Sequence, residues 1–234
     1  MSLKLVYGRA GTGKTEYCLT EIRTNLWAKN KDNPLIMLLP EHTVFKIEKE
    51  LAQTENLGGF SRAYVFGFRR FAQRILQETG GAITPMITEL GKKLLLAKLL
   101  DKNKEKLSLL ANACRQRSFT ETLSTMIEEF KTYGLSSDDI AGITDNMPES
   151  LLKNKLEDLN IIYRDFVNVM QGTYIDNEDC MALVAQKLQF ADMTENCQVW
   201  LDGFGRFNPQ ELAIIEGLLQ RGQSVTITLT IDGE

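Results

Sequence analysis

Eight consecutive residues carry the strongest chemical signal in this 234-residue chain: Gly8-Arg9-Ala10-Gly11-Thr12-Gly13-Lys14-Thr15. They fit the pattern G-x-x-x-x-G-K-[ST] in full. At average residue frequencies, such a match arises by chance in roughly one chain in a hundred of this length. The residue types suit the cradling of a polyphosphate. Glycines let successive backbone N–H groups curl around phosphate oxygens, and a helix N-terminus adds partial positive charge. A lysine at position 14 reaches the β and γ oxygens, and a hydroxyl at position 15 ligates Mg²⁺. The predicted ligand is a nucleoside triphosphate with its metal, held by Gly8, Arg9, Ala10, Gly11, Thr12, Gly13, Lys14 and Thr15. The bland alternative, a Gly-rich turn capping a helix, does not require the lysine or the hydroxyl.

Such a loop needs a carboxylate at the end of a neighbouring strand to hold the metal's water shell. The apolar run Val199-Trp200-Leu201 leads into Asp202, which is the metal-side candidate beside Thr15. Asp202 is followed by Gly203, where a hydrolysing enzyme often places a glutamate to orient water, so no general base is visible and the catalytic residue is left open. Glu41 and Glu211 are substitutes whose plainer roles are helix capping or surface charge. His42 has no partners for a nucleophilic triad. The acidic pairs Asp138-Asp139 and Glu128-Glu129 read as helix starts or exposed faces, which excludes a two-carboxylate hydrolytic site.

The formal charge is −4 and is unevenly spread. Residues 61–117 carry 12 basic and 4 acidic side chains, whereas residues 118–234 carry 7 and 20. A basic island within an acidic chain is a candidate phosphate-backbone footprint. Arg62, Arg69, Arg70 and Arg74 alternate with Tyr64, Phe66, Phe68 and Phe71, combining cations with rings as single-strand DNA binding does. Aromatics at that spacing also serve as core. The Lys92–Arg117 segment extends the island. Four separated cysteines (Cys18, Cys114, Cys180, Cys197) and a single histidine exclude a disulfide framework and a zinc site, leaving reduced core thiols. No apolar run approaches a membrane span and no signal stretch opens the chain, so a cytoplasmic location is expected.

The elements that must position these residues follow from hydrophobic period. Leu3–Tyr7, Leu35–Leu39 and Ala63–Phe66 read as short strands, each followed by a helical pattern, which predicts βαβ units and a parallel sheet. From Glu89 to Gln171 helix follows helix with no strand between. Strand character returns at Gln198–Leu201, followed by a helix over Pro209–Gln220 and a β-branched run at Val225–Ile231. The predicted architecture is therefore α/β, with residues 1–88 and 172–234 forming one discontinuous domain and residues 89–171 an inserted all-helical subdomain. A final parallel strand without a covering element also suggests a piece of a longer protein.

Several blocks in order carry a resemblance: Gly8–Thr15, Leu39-Pro40-Glu41, Ser61–Phe68 running into Arg74-Ile75-Leu76, Tyr174-Ile175-Asp176, and Val199–Phe204. Together they resemble the N-terminal part of the AddB subunit of bacterial AddAB helicase–nucleases, relatives of superfamily 1 helicases. The resemblance implies a RecA-like P-loop NTPase domain that binds ATP and Mg²⁺, in a subunit that pairs with AddA and acts on DNA at double-strand breaks. It implies a nuclease domain with an iron–sulfur cluster only in later parts of such a protein. Active superfamily 1 helicases usually carry Asp-Glu where this chain has Asp202-Gly203, so ATP binding with little or no hydrolysis is the expectation. The second motif reads Pro40-Glu41-His42 where the family has Pro-Glu-Gln. The alternative, a self-contained P-loop kinase or phosphotransferase with a helical lid, would require acceptor-binding Arg/Asp pairs.

Overall fold

The computed structural model describes residues 2–28, 32–54, 60–80, 84–111 and 117–231. Gly58, Gly59, Gly81, Cys114 and residues 232–234, with the side chain of Arg117, lie outside the described residues. In chain order the elements are β1 (Leu3–Gly8), α1 (Lys14–Trp27), β2 (Leu35–Leu38), α2 (Glu41–Ala52), β3 (Ala63–Phe66) and α3 (Phe68–Thr79). There follow α4 (Glu89–Asn103), α5 (Arg117–Thr132), α6 (Ser137–Asp145), α7 (Leu151–Met170) and α8 (Asn177–Lys187), then β4 (Gln198–Leu201), α9 (Pro209–Arg221) and β5 (Ser224–Thr230). The backbone divides into two compact units, residues 1–82 with 180–234 and residues 83–179.

The first unit is an α/β layer built on one parallel sheet of order β1-β5-β4-β2-β3. Its central strands β2 and β4 are buried at every position, as continuous apolar runs in a parallel sheet must be. Leu35, Met37, Ala63, Val65 and Trp200 point to one face. There they meet Cys18, Leu19 and Ile22 of α1 and Val44, Ile47 and Leu51 of α2. Phe66 and Phe71 are in ring contact on the opposite face, which places α3 there. Local sequence sets the helix ends. Gly13 opens α1 in the left-handed region at φ 86°, and Gly80 closes α3 at φ 76°, conformations that a side chain would strain. Asn208 and Glu211 form a reciprocal capping box on α9, with Pro209 at its first position.

The second unit is helical. Leu96, Leu99 and Leu100 of α4, Leu123 and Ile127 of α5, Ile140 of α6, and Leu159, Ile162 and Phe166 of α7 make a single core. Polar groups complete it. The buried Asp158 carboxylate accepts the backbone N–H groups of Ser108, Leu109 and Leu110 at 2.7–2.9 Å, which terminates the turn after α4. Removing it orphans three donors at once, a loss of roughly 2–4 kcal/mol. Lys92 is 2% exposed and pairs with Glu128 at 3.0 Å and Glu178 at 3.2 Å. Burial alone would lower its ammonium, but the Glu178 charge and the Glu128 hydrogen bond outweigh that and hold it above the ordinary lysine range. Lys131 likewise bridges Asp176 and Asp179. The bridge between Met86 and Ile175 pairs the two segments by which the chain enters and leaves this unit. Among the described residues no helix is long and apolar enough to cross a membrane.

Candidate phosphate-loop site

The loop between β1 and α1 is shaped by its glycines. A Cβ at Gly8 would meet the Thr12 hydroxyl at 2.7 Å, and Gly11 and Gly13 are left-handed at φ 78° and 86°. Thr12 donates to the Arg9 carbonyl at 2.8 Å, closing the turn. Lys14 donates to the carbonyls of Gly8 and Arg9, each at 2.8 Å, so its ammonium lies over the loop. No side chain caps α1, whose first-turn N–H groups have no partner within the helix.

Parallel pairing then brings a distant carboxylate to this loop. Asp202 follows β4, and in the β4–β5 register it lies level with Thr228. It is 4% exposed. The Thr15 hydroxyl donates to its Oδ2 at 2.7 Å across a sequence separation of 187 residues, and the Thr228 hydroxyl donates to its Oδ1 at 2.6 Å. Trp200, two residues earlier, donates its indole N–H to Glu21 at 2.9 Å, and Glu21 also pairs with Lys4 of β1. This contact fixes α1 against β4 and hence Thr15 against Asp202.

These groups line a cleft of about 460 Å³, within the range of small-molecule sites. Lys46, Ile47 and Glu50 of α2 and Leu19 of α1 form its other wall. Arg23 ties the rim together by pairing with Glu16 at 2.6 Å and Glu50 at 3.4 Å. Among the described residues no three His, Cys, Asp or Glu side chains gather as a cation cage. One carboxylate and one hydroxyl on a buried floor, beneath a loop of N–H donors, match the habit of Mg²⁺, which takes one or two protein oxygens and completes its octahedron with water and phosphate. Thr15 and Asp202 are the residues that could hold it.

The remaining sequence candidates are placed as follows. Gly203 is left-handed at φ 81°, and a Cβ there would sit 3.4 Å from Pro40, so the backbone itself disfavours a glutamate at this position. Glu211 accepts the Asn208 N–H at 2.9 Å as a helix cap. The Glu41 carboxylate lies against the Cα of Gly67, so closely that any side chain at 67 would collide with it. His42 is exposed in the first turn of α2. Arg62 spends its guanidinium on the carbonyls of Asn25 and Asn33, at the sheet end away from the loop. Arg69, Arg70 and Arg74 are exposed on α3, the first two beside its N-terminus at the loop end of the sheet. Phe68 and Phe71 are buried, Phe68 packing on Phe204 and Phe207, so these rings are core. Lys92 is buried in its ion pairs, and Lys93 and Lys102 are paired with Glu121 and Asp165. Lys92 is thereby withdrawn from the expected basic surface over 92–117, whereas Lys102 stays exposed and Lys93 half-buried, each beside an acidic partner. Thr228 is the site residue that sequence reading misses. The alternation of threonines in β5 puts 226, 228 and 230 on one face, which is the available signal.

The fold and site together define a parallel α/β domain whose first strand delivers a phosphate-loop sequence to a buried carboxylate at the end of another strand. A family model described as "ADDB, N-terminal" matches residues 5–234. The chain is 38% identical over 239 residues to the B subunit of the ATP-dependent helicase/deoxyribonuclease of Bacillus mycoides (strain KBAB4), 99% of this chain and 20% of the relative. Proteins of the same name from Clostridium kluyveri (strain NBRC 12016) and Desulforudis audaxviator (strain MP104C) are 38% and 39% identical, with the same coverage. The chain belongs to the AddB family, as its N-terminal part, and spans about a fifth of the length of these relatives.

Cys18 lies directly beneath the site, fully buried. Burial, with the Asp202 and Glu21 carboxylates adding to it, pushes its thiol up to about 12. Buried and held protonated near neutral pH, Cys18 in native protein should resist iodoacetamide until denaturant unfolds it. Mass spectrometry of native samples finding Cys18 alkylated as fast as a free cysteine would contradict this placement.

Proposed function

We propose that this chain is the ATP-binding, RecA-like module of a helicase/deoxyribonuclease B subunit that processes DNA ends for recombinational repair. The observation that carries the reading is the Thr15–Asp202 hydrogen bond, which joins the phosphate loop to the carboxylate strand. The strand order supports it as well. β5 separates the loop strand β1 from the carboxylate strand β4, so the C-terminal strand ends open a crevice between the two. In this reading the N–H groups of the loop and the start of α1 hold the phosphates, and Lys14 turns from the Gly8 and Arg9 carbonyls toward the β and γ oxygens. Thr15 and Asp202 would hold Mg²⁺, which when bound would neutralise phosphate charge. Thr228 holds the second oxygen of the Asp202 carboxylate while Thr15 holds the first.

Gly203 leaves the site without an adjacent carboxylate to orient water, so the module binds ATP with little turnover of its own. In the complete protein it would work in the cytoplasm with an AddA-type partner that carries the motor. Family membership favours this reading over the self-contained kinase.

Binding of Mg·ATP, followed by calorimetry, should weaken by about 2–4 kcal/mol in Lys14→Ala, since a charge-assisted phosphate contact disappears. Unchanged affinity would sink the proposal. The arginines of α3 give a second check. Because Phe68 and Phe71 are buried, DNA contact through Arg69, Arg70 and Arg74 would be to phosphates. Reversing all three charges in the full-length heterodimer should flatten the salt dependence of single-strand binding by about 0.7 per lost phosphate contact. An unaltered slope would remove these residues from the DNA path.

A further inference from the structure

The cleft beside the phosphate loop holds a second lysine to which the nucleotide reading gives no task. Lys46 of α2 lines it together with Lys14, Thr15 and Asp202. The neighbouring charges single Lys46 out. Arg23 neutralises both glutamates of the cleft, Glu16 at 2.6 Å and Glu50 at 3.4 Å. Lys14 rests on the Gly8 and Arg9 carbonyls, and Asp202 accepts from two hydroxyls. Glu50 stands four residues after Lys46, the spacing of a helical ion pair, yet it bonds Arg23 instead. Among the described residues Lys46 is therefore exposed and without a carboxylate partner.

The topology says where that ammonium can act. Leu38 of β2 is level with Leu201 of β4, and the Asp202 N–H donates to the Leu38 carbonyl at 3.1 Å. α2 begins at Glu41, so its first turn starts beside Asp202 and Gly203, where a Cβ on Gly203 would meet Pro40 at 3.4 Å. The helix then runs back along the sheet with Val44, Ile47 and Leu51 in the core. Helical side chains lean toward the N-terminus of their helix. Lys46, about one and a half turns into α2, thus leans toward the Asp202 end of the cleft. With glycine at position 203, no carboxylate follows Asp202 there to repel a terminal phosphate.

We propose that Lys46 is a binding residue for the terminal phosphate of a nucleoside triphosphate, by which the module tells a triphosphate from a diphosphate without hydrolysing it. The inference rests on the nucleotide reading of the phosphate loop and deepens it. The loop N–H groups, the start of α1 and Lys14 grip phosphates that a diphosphate also carries. A metal on Thr15 and Asp202 bridges the β and γ oxygens, so the third phosphate extends toward the wall that α2 provides. A lysine suits this contact, being a compact charge with rotatable donors on a flexible stem.

Calorimetry of the 234-residue chain with Mg·AMPPNP, a non-hydrolysable triphosphate, and with Mg·ADP tests the assignment. Lys46→Met should weaken AMPPNP binding about tenfold, as the loss of one charge-assisted contact does, and leave ADP within about twofold. Lys46→Arg should keep most of the AMPPNP affinity. Lys49→Met, at an exposed α2 position outside the cleft, should change neither ligand. Lys14→Ala should weaken both. Equal losses for the two nucleotides in Lys46→Met, or no loss for either, would overturn the proposal while leaving nucleotide binding in place. So would the same selective loss in Lys49→Met, which would make the effect one of general charge. Wild type that binds neither nucleotide would remove the phosphate-loop reading itself, and this inference with it.

Discussion

A carboxylate taken out of water must be compensated, and the position of Asp202 makes that the governing constraint of the first unit. Burying an ionised carboxylate costs several kcal/mol unless hydrogen bonds and a cation offset it. Here two hydroxyls converge on it from elements far apart in sequence, Thr15 at the start of α1 and Thr228 on β5. The Thr228 contact requires β5 beside β4, and the Thr15 contact requires α1 to be seated against Trp200 through Glu21. The glycines of the loop then follow from geometry, because the chain must leave β1 and enter α1 within a few residues while turning its N–H groups toward the same point.

The helical unit obeys the same electrostatic rule in a different setting. Lys92 and Lys131 are withdrawn from solvent and surrounded by Glu128, Glu178, Asp176 and Asp179. Together with the Met86–Ile175 bridge, these pairs bind the segment after α7 to α4 and α5. Folded carboxylates stabilised by such cations lose that contribution as pH falls below the ordinary carboxylate range. Asp176, where burial opposes but Lys131 prevails to lower its titration, is the member for which this sign holds.

Much of this is legible in sequence because it depends on local pattern. The strands stand out as short apolar runs bounded by glycine and proline, and Ala63–Phe66 and Gln198–Leu201 coincide with the observed elements. Asp202 is legible because an apolar run ending in an acid has few other uses beside a phosphate loop. What escapes depends on pairings between segments remote in the chain. Thr228 is one of several threonines in β5, and only the β4–β5 register singles it out. Lys92 looks like any surface lysine until α5 and the start of α8 close over it. Gly203 looks like a missing glutamate, whereas its left-handed backbone and the nearby Pro40 give the glycine a reason of its own.

The account turns on whether Thr15 and Asp202 act together on one metal ion, and a double-mutant cycle measures that directly. Binding of ATP to wild type, Thr15→Val, Asp202→Asn and the double variant would be measured by calorimetry, once with Mg²⁺ and once with EDTA. The account predicts a coupling of about 1 kcal/mol or more with Mg²⁺, because loss of either group already breaks the shared site, and a coupling near zero without it. Additive effects with Mg²⁺ present, or a coupling that persists in EDTA, would contradict it.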